Sequence, residues 1–345
     1  MDKQEKRRHV MELWKSCFHD SDAFVDFYFT EKYVDENVAA VWEKGRLLSA
    51  LQMIPYTSTC WRAVFPVSYI AGASTAPDVR GRGLMSGLLR QSFREMFARG
   101  VAFTVLIPAG QGLFDYYTRF GYTPVYYGRE ISFSFPVEKY AESEERPLSR
   151  SLIYEYFSCR QHSSSCTILH DRRDFEAIAR DIESEGGAIV SVSSHDRITA
   201  LAFAQYDGTC IFISEWMYDD PFSRTALLEK CASRFRCSKI CCRMISDKQG
   251  RAYGMARIIR VEDMLKVWAS LCPECSCRLP VTDEIIPENN GLFVVEKGVC
   301  YKKSLDIGTE AMDIGRLSAL FLMGEDENGC CPFPRQQPSM SLMFS

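Results

Sequence analysis

A short segment containing glycine and arginine carries the clearest chemical pattern in this sequence. Residues 71–85 read AGASTAPDVRGRGLM. Gly81 and Gly83 allow the backbone to curl tightly beneath a ligand, while Arg80 and Arg82 add guanidinium groups that match the geometry of a phosphate. The unpaired amides and the positive dipole end of a following helix bind anions. The pattern predicts a pyrophosphate site; the alternative is a surface turn with incidental arginines.

The elements on either side of this turn fit that prediction. Ala63–Ala73 has the composition of a strand and delivers the chain to the turn. Leu84–Arg99 is predicted to be an amphipathic helix, and Gly100 is placed to end it. The apolar residues that share one face of this helix are Leu84, Leu88, Leu89, Phe93, Met96 and Phe97. A strand, a turn and a long helix together indicate a phosphate site more specifically than an isolated GxG does.

A second candidate group follows one predicted strand later. Residues 116–122 read YYTRFGY, and 114–119 are predicted to form a short helix. A phenol such as Tyr117, placed near a departing thiolate, can donate a proton as a general acid. The alternative is that these aromatic side chains belong to the hydrophobic core, as we expect for Phe120.

The bulk properties exclude several classes of protein. The 345 residues are 46% apolar and 12% aromatic, which argues against disorder and predicts two or three domains. A net charge of −4 argues against a nucleic-acid partner, because phosphates call for a basic surface. The first ten residues, MDKQEKRRHV, do not resemble a secretory signal, and no apolar run reaches the ~18 residues of a membrane span. We therefore expect a cytoplasmic protein that does not enter the membrane.

Cysteine is frequent, with 15 residues scattered along the chain. Without a secretory signal, these residues are expected to be reduced thiols that behave as small buried hydrophobes. The segment CPEC at 272–275 looks like half of a zinc knuckle. A second pair of ligands is missing from the sequence that follows, and structural zinc needs four. We therefore predict no metal site.

Three regions can be distinguished along the chain. Residues 1–136 are predicted to form one α/β domain, and 138–149 are charged and contain proline, as expected of a linker. Residues 150–250 repeat the same order of elements but have no glycine-rich phosphate turn. A smaller third region runs over 252–345. The fold class predicted is α/β (α+β), with two mixed-sheet domains followed by a small α+β domain.

With these motifs assembled, the sequence resembles the GNAT superfamily of N-acetyltransferases, and more closely its Eis-like branch. The resemblance is carried first by STAPDVRGRGLMSGLLR and RFGY in the first region. It extends to GMARIIRVEDML, VTDEIIPENNGLF and DIGRLSALFLMG in the last region. Such bacterial proteins consist of two tandem GNAT domains and a sterol-carrier-protein-like domain. The resemblance implies that arrangement here, with the middle domain the weakest match.

The resemblance also implies roles for individual residues. It implies acetyl-CoA as the cosubstrate, bound by the main chain of Ala73, Ser74 and Thr75. Its pyrophosphate would lie at Arg80, Gly81, Arg82, Gly83, Leu84 and Met85. Tyr117 would be the general acid, and the C-terminal carboxylate, here that of Ser345, the general base. Residues 66–73 contain no Asp or Glu, the usual base position in simpler GNAT enzymes, which favours a base supplied from elsewhere.

The function predicted is direct transfer of an acetyl group from acetyl-CoA to an amine. The alternative is a protein that binds or senses acyl-CoA without turnover. Lipid carriage by the last region is a third hypothesis, but about ninety residues leave little room for a lipid cavity, so we interpret this region as structural. The acceptor stays open among aminoglycosides, polyamines, lysine side chains and small metabolite amines. The family commonly assembles through its later domains, which leaves a homo-oligomer open.

Overall fold

The computed structural model describes residues 2–135, 148–195, 197–324 and 331–344. These residues form two compact units. Unit 1 takes its described residues from 1–125 and 252–338 and also includes Phe344. Unit 2 takes its described residues from 126–251 and 339–343. Both ends of the chain therefore contribute to unit 1, and the predicted division into 1–136, 150–250 and 252–345 stays a prediction.

The helices that the structure describes are numbered along the chain. They are α1 (Lys3–Cys17), α2 (Asp22–Glu31), α3 (Leu84–Ala98), α4 (Gly112–Thr118), α5 (Arg150–Ser163), α6 (Arg172–Ser184), α7 (Pro221–Phe235), α8 (Val261–Leu271) and α9 (Ile314–Met323). Short 3-10 turns within the described ranges lie at Asp35–Asn37, Pro77–Val79 and Pro287–Asn289.

The described strands are numbered in the same way. They are β1 (Val38–Glu43), β2 (Arg46–Cys60), β3 (Ala63–Thr75), β4 (Phe103–Leu106), β5 (Thr123–Ser134), β6 (Ile168–Leu169), β7 (Ala188–Ser194), β8 (Arg197–Tyr206), β9 (Ile211–Tyr218), β10 (Lys239–Ser246), β11 (Arg251–Ile258), β12 (Cys277–Thr282), β13 (Gly291–Glu296), β14 (Val299–Lys303) and β15 (Met312–Asp313).

Unit 1 contains a mixed sheet in the order β1-β2-β3-β4-β11. Strands β1, β2 and β3 form an antiparallel meander, and β3 pairs with β4 in parallel. Helix α3 connects these two parallel strands, as a parallel pair requires. Strand β11 then joins β4 in antiparallel orientation, so a strand from the last third of the chain completes the N-terminal sheet.

The last third of the chain adds a second, smaller sheet to unit 1. Its order is β14-β13-β12-β15, antiparallel except for the parallel pair β12 and β15. Helices α8 and α9 belong to the same part of the unit. The Asp313 side chain caps α9 by accepting a hydrogen bond from the amide of Arg316.

Unit 2 repeats the strand pattern of the N-terminal sheet. Its order is β5-β10-β9-β8-β7, with an antiparallel meander β7-β8-β9 and a parallel pair β9 and β10 connected by α7. Its core contains small residues and thiols, among them Ala200, Ala202, Cys231 and Cys242. The predicted α/β fold with mixed sheets is confirmed.

Some local predictions differ from the structure. The sequence of 125–135 predicts a pair of strands, but its residues up to Ser134 belong to one strand, β5, because Gly128 continues the ladder opposite Ile245 and makes no turn. Most of the predicted linker, 138–147, lies outside the described residues. Within the described ranges, no helix combines the length and the apolar character needed to cross a membrane.

Candidate functional site

The glycine turn lies between the end of β3 and the start of α3. Gly81 and Gly83 have φ angles of +79° and +77°, in the left-handed region where a side chain would be strained. Gly83 is the N-cap of α3 and offers no side chain to its first amides. A Cβ atom at either glycine would meet nothing within 4 Å. Conformation and access to the helix end, rather than packing, therefore explain these two glycines.

A cavity of about 290 Å³ opens at this helix end. It is lined by Thr75, Val79, Arg80, Gly81, Gly83, Leu84, Met85, Ser86, Tyr116 and Arg119. Six of the nine residues predicted to bind the cosubstrate are among them. The volume lies near the lower end of the roughly 300–1,000 Å³ that is usual for small-molecule sites.

The three arginines near the turn differ in their surroundings. The Nε of Arg80 donates to the carbonyl oxygen of Thr75 at 3.1 Å, which fixes its side chain at the cavity. The guanidinium of Arg119 lies 4.9 Å from the ring centre of Tyr116 and also lines the cavity. Arg82 is directed to the carboxylate of Glu43, 3.9 Å away, and does not line the cavity.

The parallel strands β3 and β4 separate close to this site. Their pairing covers Val67 to Tyr69 on β3, opposite Phe103 to Val105 on β4. Strand β3 continues to Thr75, six residues beyond the last pair, while β4 ends at Leu106. The main-chain groups along the last part of β3 thus have no ladder partner on the β4 side in this register. Such groups can hydrogen-bond an extended ligand chain.

Two of the predicted main-chain contacts, Ala73 and Ser74, lie on this last part of β3 but do not line the cavity. Ala73 packs against the main apolar cluster of unit 1. The carbonyl oxygen of Ser74 accepts a hydrogen bond from the Ser49 hydroxyl at 3.0 Å. Of the three predicted main-chain contacts, Thr75 therefore lines the cavity, whereas Ala73 and Ser74 lie outside it on β3.

Tyr117 lies on α4, buried within that same apolar cluster. Its ring stands edge-on to Tyr116 and Tyr122, with centres 5.3 Å and 5.8 Å away. Ile70 of β3 and Leu106 of β4 belong to the same cluster. Burial raises the pKa of Tyr117 to about 12, so the phenol stays protonated at neutral pH. No hydrogen-bond partner of its hydroxyl is found among the described residues.

The predicted general base, the carboxylate of Ser345, lies outside the described residues. The residue before it, Phe344, is buried in unit 1. Its ring centre lies 5.7 Å from that of Phe27 on α2, and the Nζ of Lys32 lies 5.1 Å from the ring centre of Phe344. The role of Ser345 stays a prediction.

The cavity suits a pyrophosphate in shape and charge. The amides at the start of α3 have no side-chain cap, and the dipole of a 15-residue helix favours an anion there. Arg80 and Arg119 supply two cations on the cavity wall. The open space at Gly81 and Gly83 lets a ligand approach the backbone directly. These residues therefore fit the diphosphate of a coenzyme A.

Four cavity residues had not been predicted as site residues: Val79, Ser86, Tyr116 and Arg119. The Ser86 hydroxyl and the Tyr116 hydroxyl lie 3.2 Å apart, which links α3 to α4 across the cavity wall. Tyr116 on α4 and Arg119, the C-cap residue of that helix, are three residues apart and so share a face. That spacing, within the quoted YYTRFGY motif, is the signal in the sequence that could have identified Tyr116 and Arg119.

The cysteines among the described residues are free thiols. Cys272, Glu274 and Cys275, in unit 1, place one ligand atom each within 4.8 Å of one another. Cys272 follows the C-terminal end of α8, and closed structural zinc sites have four ligands, one more than this group supplies. The prediction of no metal site stays a prediction.

Comparison with protein families identifies the N-terminal part of the chain. Residues 3–125 match a family described as an acetyltransferase (GNAT) domain. The match covers the meander β1-β2-β3, the glycine turn, α3, β4 and α4. The N-terminal part of unit 1 is therefore similar to GNAT acetyltransferase domains. No curated protein sequence is found to match the chain.

Solved structures with a similar fold cover nearly all of the chain. A GCN5-related N-acetyltransferase from Anabaena variabilis superimposes with a TM-score of 0.74 at 17% identity, over 93% of this chain and 88% of that one. Eis1 from Mycobacterium abscessus gives 0.72 at 11% identity, over 98% and 97%. A GCN5-related N-acetyltransferase from Kribbella flavida gives 0.68 at 16% identity, over 92% and 86%. At these identities the likeness shows the fold.

Proposed function

We propose that the chain is an N-acetyltransferase of the Eis-like branch, which transfers an acetyl group from acetyl-CoA to an amine. The observation that carries this proposal is the uncapped start of α3, where left-handed Gly81 and Gly83 lie beside Arg80 and Arg119. The GNAT family match over residues 3–125 supports it. The fold similarity to Eis1 over 98% of the chain supports the branch.

In the proposed binding mode, the start of α3 and the two arginines hold the diphosphate. The thioester arm follows the last part of β3, where main-chain groups lie beyond the register with β4. Amides on this part of the strand can donate to the carbonyl oxygen as it gains negative charge. This route leads from Thr75 toward Ile70, which is in the same apolar cluster as Tyr117.

In the proposed reaction, the nitrogen of the neutral amine attacks the thioester carbonyl carbon. The new C–N bond forms, the C–S bond breaks, and its electron pair leaves with the sulfur. Tyr117 donates its hydroxyl proton to this sulfur, and a base removes the excess proton from the nitrogen. Since the pKa of Tyr117 is raised to about 12, the phenol is in the protonated form that this step needs. The C-terminal carboxylate is the base that the resemblance implies.

The first test measures release of the CoA thiol from acetyl-CoA with neomycin, spermidine and Nα-acetyl-lysine as acceptors. We expect turnover with at least one amine, and a fall in kcat of about 100-fold in Tyr117→Phe. Calorimetric binding of acetyl-CoA should change by less than about twofold, because a phenol used only for proton transfer adds little binding. Tyr301→Phe, which removes a phenol on β14, is the matched control and should keep full activity.

The other outcomes of this test separate the alternatives. Binding of acetyl-CoA without turnover on the whole panel would favour a protein that senses acyl-CoA. Turnover that survives Tyr117→Phe would retain the enzyme and reject its general acid. The absence of binding would overturn the site itself.

A further inference from the structure

Unit 1 contains a buried ion pair that the proposed reaction does not use. Arg257 on β11 is 1% exposed, and its Nη2 donates to both carboxylate oxygens of Asp283 at 2.7 Å. Burying two charges costs several kcal/mol per ion, and well-packed apolar residues are often at least as stable in their place. Stability alone therefore does not account for this pair.

Asp283 is held from several sides. One of its carboxylate oxygens accepts from the amides of Ile285 and Ile286 at 2.9 Å and 3.1 Å. The other accepts from the Nδ2 of Asn289 at 2.9 Å. The acid thus organises the loop after β12 around itself and presents a fixed carboxylate to Arg257. The segment VTDEIIPENNGLF is what builds this loop.

Arg257 also contacts the turn that follows α4. Its Nη1 donates to the carbonyl oxygen of Phe120 at 2.7 Å, and its guanidinium lies 4.8 Å from the ring centre of Phe93 on α3. Gly121 has a φ of +77°, and a Cβ there would lie 2.1 Å from the Nη1 of Arg257. The glycine of RFGY thus makes room for the guanidinium, in addition to allowing the turn.

This turn is tied directly to Tyr117. The amide of Phe120 donates to the carbonyl oxygen of Tyr117 at 2.9 Å, and the ring of Tyr122 packs edge-on against that of Tyr117. The Tyr122 hydroxyl is in turn 3.2 Å from that of Thr104 on β4. Because the Tyr117 hydroxyl has no hydrogen-bond partner among the described residues, its position depends on its ring packing and on this backbone turn.

We propose that Arg257 and Asp283 are positioning residues for the Tyr117 hydroxyl. The inference rests on the proposed function, since it assumes that Tyr117 acts as the acid. It gives a role to the segments GMARIIRVEDML and VTDEIIPENNGLF, which lie more than 130 residues after the motif RFGY. Arg257 is held by the fixed carboxylate of Asp283 and bonds to the carbonyl oxygen of Phe120. It thereby sets the position of this carbonyl group and, three residues earlier, that of the Tyr117 phenol. The last region of the chain would then contribute to catalysis without touching either substrate.

The test compares Arg257→Lys with Arg260→Lys. Arg260 is a close match, because its Nη1 donates to the carbonyl oxygen of Phe97 at 2.9 Å and its guanidinium lies 4.6 Å from the Phe97 ring centre. It holds the end of α3 instead of the end of α4. We expect kcat with spermidine and acetyl-CoA to fall about 10- to 100-fold in Arg257→Lys, as when a catalytic group is displaced by about 1 Å. The KM for acetyl-CoA should stay within about twofold, and Arg260→Lys should leave both constants unchanged.

A double-mutant cycle with Tyr117→Phe tests whether the effect passes through the phenol. If it does, Arg257→Lys should lower kcat by less than about twofold once the hydroxyl is absent. Effects that multiply would overturn the positioning role. If Tyr117→Phe alone leaves kcat unchanged, the general acid of the proposed function fails instead, so the two failures are distinguishable.

Asp283→Asn is the second variant, in case Arg257→Lys does not fold. It removes the charge but keeps the size and one acceptor oxygen, and it should reproduce the fall in kcat at unchanged KM. A loss of secondary structure by circular dichroism in both variants, or a rise in KM with kcat preserved, would show that the pair serves folding and would overturn the inference.

Discussion

Units 1 and 2 contain the same succession of elements but differ at the residue that precedes the connecting helix. Each has an antiparallel meander of three strands, then a helix, then a strand parallel to the last strand of the meander. In unit 1 the helix α3 begins after Gly83, which supplies no side-chain cap. In unit 2 the helix α7 begins after Asp220, whose carboxylate accepts from the amides of Phe222 and Ser223. The same helix end is thus open in one unit and already holds an anion in the other.

The separation of the parallel strands shows a second contrast. In unit 2, β9 and β10 pair only from Ile211 to Ile213, and β9 continues to Tyr218. Just beyond the last pair, the indole Nε1 of Trp216 donates to the carbonyl oxygen of Arg243 at 3.0 Å. A side chain of β9 thus bonds to the main chain of β10 where the two strands separate. The fold supplies both features of the site, and a few residues decide whether a ligand can use them.

The largest expected effect on acetyl-CoA binding comes from placing an aspartate N-cap, like Asp220 of unit 2, at the start of α3 in unit 1. Gly83→Asp should weaken acetyl-CoA binding about 100-fold, because like charges about 4 Å apart repel by about 4 kcal/mol at the effective dielectric of a protein surface, before salt screening. Gly83→Asn is the matched control, because it has the same size and the same strain at a positive φ without the charge. Its binding should weaken by less than about tenfold, the loss due to strain and to a neutral cap alone. Isothermal calorimetry measures both; equal losses would show that the phosphates do not lie at this helix end.

A smaller effect is expected from the arginine that unit 1 places on the cavity wall. Arg119→Ala should raise the dissociation constant of acetyl-CoA about tenfold, as expected when one charge-assisted hydrogen bond is lost. The loss should shrink at high salt, since a phosphate contact on a partly open surface is screened. Arg94→Ala removes an exposed arginine of α3 outside the cavity lining and should leave binding unchanged. Equal effects of the two variants would indicate general electrostatic attraction rather than a contact.

Arg119 also shows which features of the site the sequence alone does not predict. The glycine turn and α3 could be predicted because their signals are local: two glycines, and apolar residues at helical spacing from Leu84. The predicted helix, Leu84–Arg99, differs from the observed one by a single residue at its end. Arg119 was quoted in a motif but not assigned, because its contact with the cavity depends on how α4 packs. The Arg257 contact with Phe120 spans 137 residues and leaves no periodic signal in the sequence.

Elements without a clear pattern were also missed. Helix α5 was not predicted, since it buries only Phe157 and Gln161 and leaves Leu152 exposed, so its apolar periodicity is weak. Strand β11 was missed for the opposite reason: residues 254–258 are all buried, including Arg257, and a charged residue in a buried strand argues against that assignment from composition. Its partner Asp283, which makes the burial tolerable, is distant in sequence.

The smallest expected effect concerns the cap in unit 2. Asp220→Ala should lower the midpoint of thermal unfolding by a few degrees, because two amides of α7 lose their acceptor. It should leave the dissociation constant of acetyl-CoA unchanged, since an open helix end without the left-handed glycines and the arginines of unit 1 does not make a diphosphate site. Binding of a second acetyl-CoA by the variant would contradict this and would show that the cap alone keeps unit 2 from binding.

The stability that the Asp220 cap contributes to unit 2 depends on pH. Hydrogen bonds from the backbone, the largest from the amide of Ser223, lower the pKa of Asp220 below its ordinary value. A carboxyl whose pKa is lowered in the folded state contributes stability above its unfolded pKa, about 3.9, and loses it as the pH falls through the folded value. The difference in unfolding midpoint between wild type and Asp220→Asn should thus be present at pH 7 and shrink steadily below about pH 4. A difference that stayed constant to lower pH would mean that the carboxylate charge plays no part at the start of α7, and that Asp220 and Gly83 differ only in shape.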